Sequence, residues 1–450
     1  MKRVIVFIVT FLAIISCSKW GEGLEKQIED KAPANPHLIS KAYALASLNQ
    51  FLGQSSHPTK SVGEESQISV IKQSDLSQEA IASQDSIAPN ELVYLVSFSC
   101  DNGYAILAAD DRIGDDIIAV VDHGSVTKNE MIESYRNSDV EAFDPGLIHK
   151  LCLDYALNSI DLSDTLDVTE PENNDIIEEY VVRTETITYK SVSPKLTLEV
   201  DWSQTSPFND YCNYRSGYSD NNLPANPYDN GRNYVGCVPL AVAKIMAYFE
   251  WPTYLEINGY LINWYALKYD LYSDNGKRTA ATLLRHIGKE CNSMYFDEGT
   301  FTLPSEARKY LSDMLYPNVK LVDYSTDAVI YSLDNDCPLF ICSLPHNGFL
   351  NYDFASSHAW NIDGYKESYK EITKYIFVNG EYSHEVVEHA NYTTKVHCDF
   401  GWEGLHNGYY TSGVFKLRGN DIEYDEPKKI DPSTTNYNYY LKLITYDKPY

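Results

Sequence analysis

Positive charge is scarce in this chain: 36 Lys and Arg stand against 64 Asp and Glu, a formal charge of −28. Nucleic-acid binding needs a basic face to neutralise phosphates, so that class is set aside. Long apolar runs are scarce too. The most prominent, residues 4–15, falls short of the ~18 residues a membrane-spanning helix needs. Nor do the nine cysteines form paired C-x-x-C units, which removes the common zinc frameworks.

What residues 4–15 do resemble is the apolar segment of a signal peptide, preceded by Met1-Lys2-Arg3. Ile14-Ile15-Ser16-Cys17 fits a bacterial lipobox, which makes Cys17 the expected acylated first residue after cleavage. An ordinary secretory signal is the other reading. The expected location is the bacterial cell envelope, as an outer-membrane or cell-surface lipoprotein, with release of the downstream domain after processing.

The remaining chain divides by composition. Residues 18–36 read as a tether and 37–160 as a small α+β unit. That unit has a helical segment near 38–52, a Ser/Gln/Glu-rich stretch over 53–90, and strands over 92–98, 104–109 and 117–121. Asp101-Asn102-Gly103 supplies a turn between the first two strands. Residues 161–190 carry a run of carboxylates and read as a solvated acidic linker, with a processing region near Lys190 or Lys195. Residues 191–450 form the last unit.

The chemistry is concentrated there. In Gly236-Cys237-Val238-Pro239 and the residues that follow, Val238, Ala241, Val242, Ile245, Met246 and Phe249 recur at helical spacing. Pro239 suits a first turn and Pro252 ends the run. Cys237 therefore sits at a helix N-terminus, where free N–H groups and the dipole favour a thiolate. A buried structural cysteine is the plain alternative. Downstream, Ser357-His358-Ala359 opens a short strand that ends at Asp363-Gly364, and His397-Cys398-Asp399-Phe400-Gly401-Trp402 follows. Upstream stands Asp201-Trp202-Ser203-Gln204, whose amide could donate to a developing oxyanion. A carboxylate or amide after the histidine can orient an imidazole.

In that order, Gln204, Cys237, His358 and Asp399 resemble the streptopain family of papain-like cysteine proteases. The resemblance runs from about residue 196 to the end of the chain. It implies an α+β fold: a two-lobed papain-like domain, one lobe helical and one an antiparallel sheet, preceded by an inhibitory prodomain. It implies Cys237 as nucleophile, His358 as general base and acid, Gln204 as oxyanion donor and Asp399 as the residue that orients the histidine. Trp202, Gly236, Ser357 and Trp402 are expected to support the site or bind substrate. Protein or peptide substrates and the chain's own prodomain are the implied partners, and the acyl-enzyme route needs neither metal nor organic cofactor. Two positions depart from the family pattern: Asp399-Phe400 stands where Asn-Trp is usual, and Ser357 where Gly is commoner.

Two other features have separate readings. His384-Glu385-Val386-Val387-Glu388-His389 looks like a zinc-protease helix, but its histidines are five apart. On a helix they would diverge by about 140°, too far to share an ion. The segment belongs instead to a long excursion over 366–396, expected as a surface hairpin. The 37 tyrosines leave open a weakened or inactive homologue that serves as a protein- or glycan-binding lipoprotein. Of the nine cysteines, Cys337 and Cys342 flank an apolar run and read as strand residues, with a disulfide as the alternative.

Overall fold

A computed structural model describes residues 37–53, 66–76, 91–136, 146–165, 179–192, 201–346, 357–378, 381–415 and 438–449. Cys17 and the signal-like segment lie outside the described residues. Among the described residues, no helix is long and apolar enough to cross a membrane.

The N-terminal unit follows the periodicity of its sequence. Helix α1 (Lys41–Gly53) buries Ala44, Leu48, Phe51 and Leu52, one stripe at helical spacing. Strand β1 (Gln67–Lys72) and the short helix α2 (Gln73–Leu76) precede β2 (Glu91–Ser97), β3 (Tyr104–Ala108) and β4 (Ile117–Val121). β3 and β4 are buried along their whole length, which explains their unbroken apolar runs. The α1 stripe packs on one face of this antiparallel sheet. Helices α3 (Lys128–Arg136) and α4 (Gly146–Thr165) cover the other, with Met131, Leu147 and Leu151 facing in.

The second unit is α+β as well. Helix α5 (Cys237–Phe249) is surrounded by α6 (Trp264–Tyr269), α7 (Asp274–Glu290) and α8 (Pro304–Asp313). Two small hairpins, β6 (Glu256–Ile257) with β7 (Tyr260–Leu261) and β8 (Met294–Tyr295) with β9 (Thr300–Phe301), decorate this helical lobe. The sheet lobe contains β10 (Lys320–Asp323), β11 (Leu339–His346), β12 (His358–Val378), β13 (Glu381–Asp399), β14 (Gly408–Thr411) and β15 (Asn438–Thr445). Helix α9 (Thr326–Asp334) packs against it.

The two units share one sheet. Strand β4 pairs antiparallel with β14, at Val121↔Gly408, Val120↔Tyr409 and Ala119↔Tyr410. The strand order therefore runs β1-β2-β3-β4-β14-β13-β12-β11-β15-β10 without a break. Gly408 makes the junction possible, because a Cβ there would meet the Val120 carbonyl oxygen at 2.3 Å. Tyr104, Leu151, Trp360, Phe400 and Tyr410 then fill a single core beneath both halves. Lys395 on β13 meets both oxygens of Asp115 at 2.8 Å, and both side chains are buried.

The excursion over 366–396 is a hairpin, as its sequence suggested: β12 and β13 pair along it from Gly364↔His397 to Val378↔Glu381. His384 and His389 lie on a strand, opposite Ile376 and Glu371. The linker reading of 161–190 needs correction. Helix α4 extends to Thr165, and Glu179–Val192 forms a further strand, β5, paired antiparallel with Lys366–Val378 of β12. The acidic run gives way at Glu179 to a stretch rich in Val, Thr, Ile and Tyr, which suits a strand, and the hairpin supplies its backbone partners.

Candidate active site

Cys237 is the first residue of α5 and is partly exposed, while Val238 to Ala247 behind it are buried without interruption. Each large apolar side chain in that stretch contributes on the order of 1.5–3 kcal/mol by leaving water. Gly236 sets the entry, with φ +94° and no room for a side chain: a Cβ would lie 2.9 Å from Thr300 Cγ2. The helix has no side-chain N-cap, so the N–H groups of its first turn stay available. Burial pushes the Cys237 thiol up, to about 11, against the N–H groups of Ala359, Val238 and Cys237, which favour the thiolate. Burial thus acts against the depression expected at a helix tip.

Alternation along β12 puts Ala359 on the face toward α5 and His358, with Trp360, on the opposite face. Asn361, on the α5 side, donates from Nδ2 to the carbonyls of Ala241 and Leu339. The His358 ring stacks on Trp402 at 4.7 Å and lies near-parallel to Trp360 and Phe400 at 5.9 and 6.2 Å. Its Nε2 meets the Phe400 carbonyl at 3.1 Å, and Nδ1 has no hydrogen-bond partner among the described residues. Burial lowers this imidazole to about 4, with the Phe400 carbonyl acting the other way. The thiol is met by backbone N–H groups, one of them from Ala359 beside the histidine, and His358 Nδ1 makes no hydrogen bond to it.

Asp399 is also placed differently from expectation. Its carboxylate forms a buried ion pair with Lys244 of α5, and its other oxygen accepts the Gly401 N–H at 3.2 Å. Burial pushes this carboxyl up, but Lys244 and the Gly401 N–H outweigh it and hold it below its ordinary range. A carboxylate beside a cation on the neighbouring helix is satisfied there, and the Phe400 main chain takes the contact to His358. Lys244 was missed in the sequence. Its only signal was one cation inside an otherwise apolar helix.

Gln204 is buried, and its carbonyl accepts the Val235 N–H at 3.2 Å, which lays the 201–204 segment beside the residues leading into Cys237. Trp202 is fully buried against Phe208 at 5.4 Å, and its carbonyl accepts the Glu403 N–H, so it supports the site from below. Ser357 lies half-buried directly before β12. The turn that carries Trp402 depends on Gly401, at φ +73°, where a Cβ would sit 2.5 Å from Leu240 Cδ2.

Among the described residues, one trio has ligand atoms close enough to share a cation: His37, Asp110 and Asp111. Arg112 already takes both oxygens of Asp110 through Nε and Nη2. Among the described residues, seven cysteines, including Cys337 and Cys342, are free thiols.

Solved structures and a family of proteins resemble parts of this chain. A prointerpain A fragment from Prevotella intermedia, carrying a cysteine-to-alanine mutation, matches at 17% identity. That match covers 81% of this chain and 98% of the other, with a TM-score of 0.46. Active wild-type interpain A of the same organism matches at 18% identity over 57% of this chain and 95% of that one, with a TM-score of 0.35. A comparison with curated proteins found no match. Residues 202–410, which span Trp202, Cys237, His358 and Asp399, match the Peptidase C10 family. This part of the chain belongs to that family, the streptopain family, and the protein is a cysteine-type peptidase.

Proposed function

We propose that the chain is the precursor of a cysteine endopeptidase whose N-terminal unit holds it latent. Cys237 attacks the peptide carbonyl, His358 takes the thiol proton and later delivers one to the leaving amine, and Gln204 with the Cys237 N–H receives the oxyanion. The observation that carries the latency is the His358 ring: it stacks on Trp402 with its Nε2 on the Phe400 carbonyl, and its Nδ1 makes no hydrogen bond to the thiol. Held there, the imidazole makes no hydrogen bond to the thiol whose proton it must take. Activation therefore requires His358 to turn toward Cys237, and release of residues 37–165 from β14 is the natural trigger. The lipobox-like segment supports export and anchoring through Cys17. Proteins or peptides at the cell envelope are the substrates this reading supports.

The test compares peptide hydrolysis by full-length chain and by a 179–450 fragment, each with and without Cys237→Ala. The fragment should turn over faster, and both Cys237→Ala forms should be inactive. Equal rates for uncut precursor and fragment would remove the latency.

A further inference from the structure

The loop between Trp402 and β14 touches both the N-terminal unit and the histidine. Its far end is clamped by backbone: the Asp122 N–H donates to the Asn407 carbonyl at 2.6 Å, and the His406 N–H donates to the His123 carbonyl at 3.0 Å. Its near end reaches back toward the site. The Phe400 N–H donates to Asn407 Oδ1 at 2.8 Å, and the Phe400 carbonyl accepts His358 Nε2 at 3.1 Å. Asn407 is buried, so the Phe400 N–H has no water to replace that oxygen. The two backbone groups of one residue, Phe400, are thereby held, the N–H by Asn407 and the carbonyl by the imidazole.

We propose that Asn407 is a positioning residue that passes the docking of the N-terminal unit to His358, by fixing the Phe400 main chain on which the ring rests. This rests on the latency reading above and adds the residue that transmits it. While Asp122 and His123 hold the loop, Asn407 Oδ1 cannot leave the Phe400 N–H, and the carbonyl stays aimed at Nε2. When β4 leaves β14, the main-chain clamp on His406 and Asn407 is lost together with the Val121↔Gly408 pairing. Among the described residues, the Phe400 main chain then keeps only the Gly401 N–H on Asp399 as an anchor, and the carbonyl is no longer fixed against the ring. Side-chain contacts between the units, such as Lys395 with Asp115, hold the docking itself but do not touch this path.

The experiment uses the full-length chain and a thiol-directed peptide electrophile, with intact mass separating labelled precursor from processed product. Asn407→Ala removes the acceptor while the N-terminal unit stays docked. Its uncut precursor should label at Cys237 about tenfold faster than wild type, the scale of one buried hydrogen bond. Asn407→Asp keeps an oxygen for the Phe400 N–H and should restore the wild-type rate. Asn407→Leu, of the same shape without the acceptor, should match Asn407→Ala and guards against a simple volume effect. Thermal unfolding of each variant identifies general loosening. A drop in unfolding temperature with no gain in labelling, or equal labelling of all four precursors beside a fast processed form, would overturn the role of Asn407. If wild-type precursor labels as fast as processed chain, the latency reading itself fails.

Discussion

The buried ion pair of Lys244 and Asp399 ties the helix that presents Cys237 to the strand that ends beside His358. Breaking one side of such a pair strands a charge away from water, at a cost of about 3–5 kcal/mol. Asp399→Leu and Lys244→Met should each lower stability by that order. The double variant Lys244→Met with Asp399→Leu should recover most of the loss, because no charge is left behind. Denaturant unfolding of the four chains checks this. Full additivity of the two single losses would mean the pair is not coupled.

The nucleophile gives a simpler expectation. Cys237→Ala should leave folding intact, since the thiol has one partly exposed face and α5 is held by its buried stripe. Hydrolysis should fall by several orders of magnitude, as loss of an essential nucleophile does in comparable sites. Residual turnover near wild type in the processed form would move the nucleophile elsewhere.

Much of this was legible in the sequence, for local reasons. The α5 stripe with Pro239, the strands around Asp101-Asn102-Gly103, and the hairpin over 366–396 are set by spacing within a few residues. The fates of Asp399 and Glu179–Val192 were not legible. Asp399 is decided by Lys244, far along the chain; Glu179–Val192 carries Val, Thr, Ile and Tyr suited to a strand, but its partner Lys366–Val378 is equally distant. The side of the sheet taken by His358 was equally hidden. Alternation groups it with Trp360, but which face meets α5 is decided by elements far along the chain.

Acid should loosen the docking of the two units. His149 on α4 is packed edge-on to Tyr104 and to His406 of the Trp402 loop. The Tyr104 hydroxyl meets His149 Nε2 at 2.7 Å and His406 Nδ1 at 3.1 Å. Burial, with the neighbouring His406, lowers His149 to about 3. Its folded value lies below its unfolded one near 6.5, so the unfolded chain takes up the proton first. Stability from this group is complete above pH 6.5 and is lost as pH falls toward 3. His358, lowered to about 4, acts in the same direction. The thermal midpoint of full-length Cys237→Ala should fall between pH 7.5 and 5, and His149→Phe should flatten that slope. An identical slope in the variant would show that His149 is not the proton-linked group.

The edge left by β5 makes the last prediction. β12 pairs with β5 on one side and β13 on the other along Lys366–Val378, so the hairpin is three strands wide. A fragment beginning at residue 201 lacks β5 and bares the backbone donors and acceptors of a long edge strand, a template for pairing between molecules. A fragment beginning at Glu179 keeps the edge covered. The shorter fragment should therefore aggregate faster on warming, in a manner that depends on concentration, while both retain the same folded lobe around α5. Light scattering against temperature at two concentrations separates them. Coincident scattering curves would mean that β5 contributes nothing to covering β12.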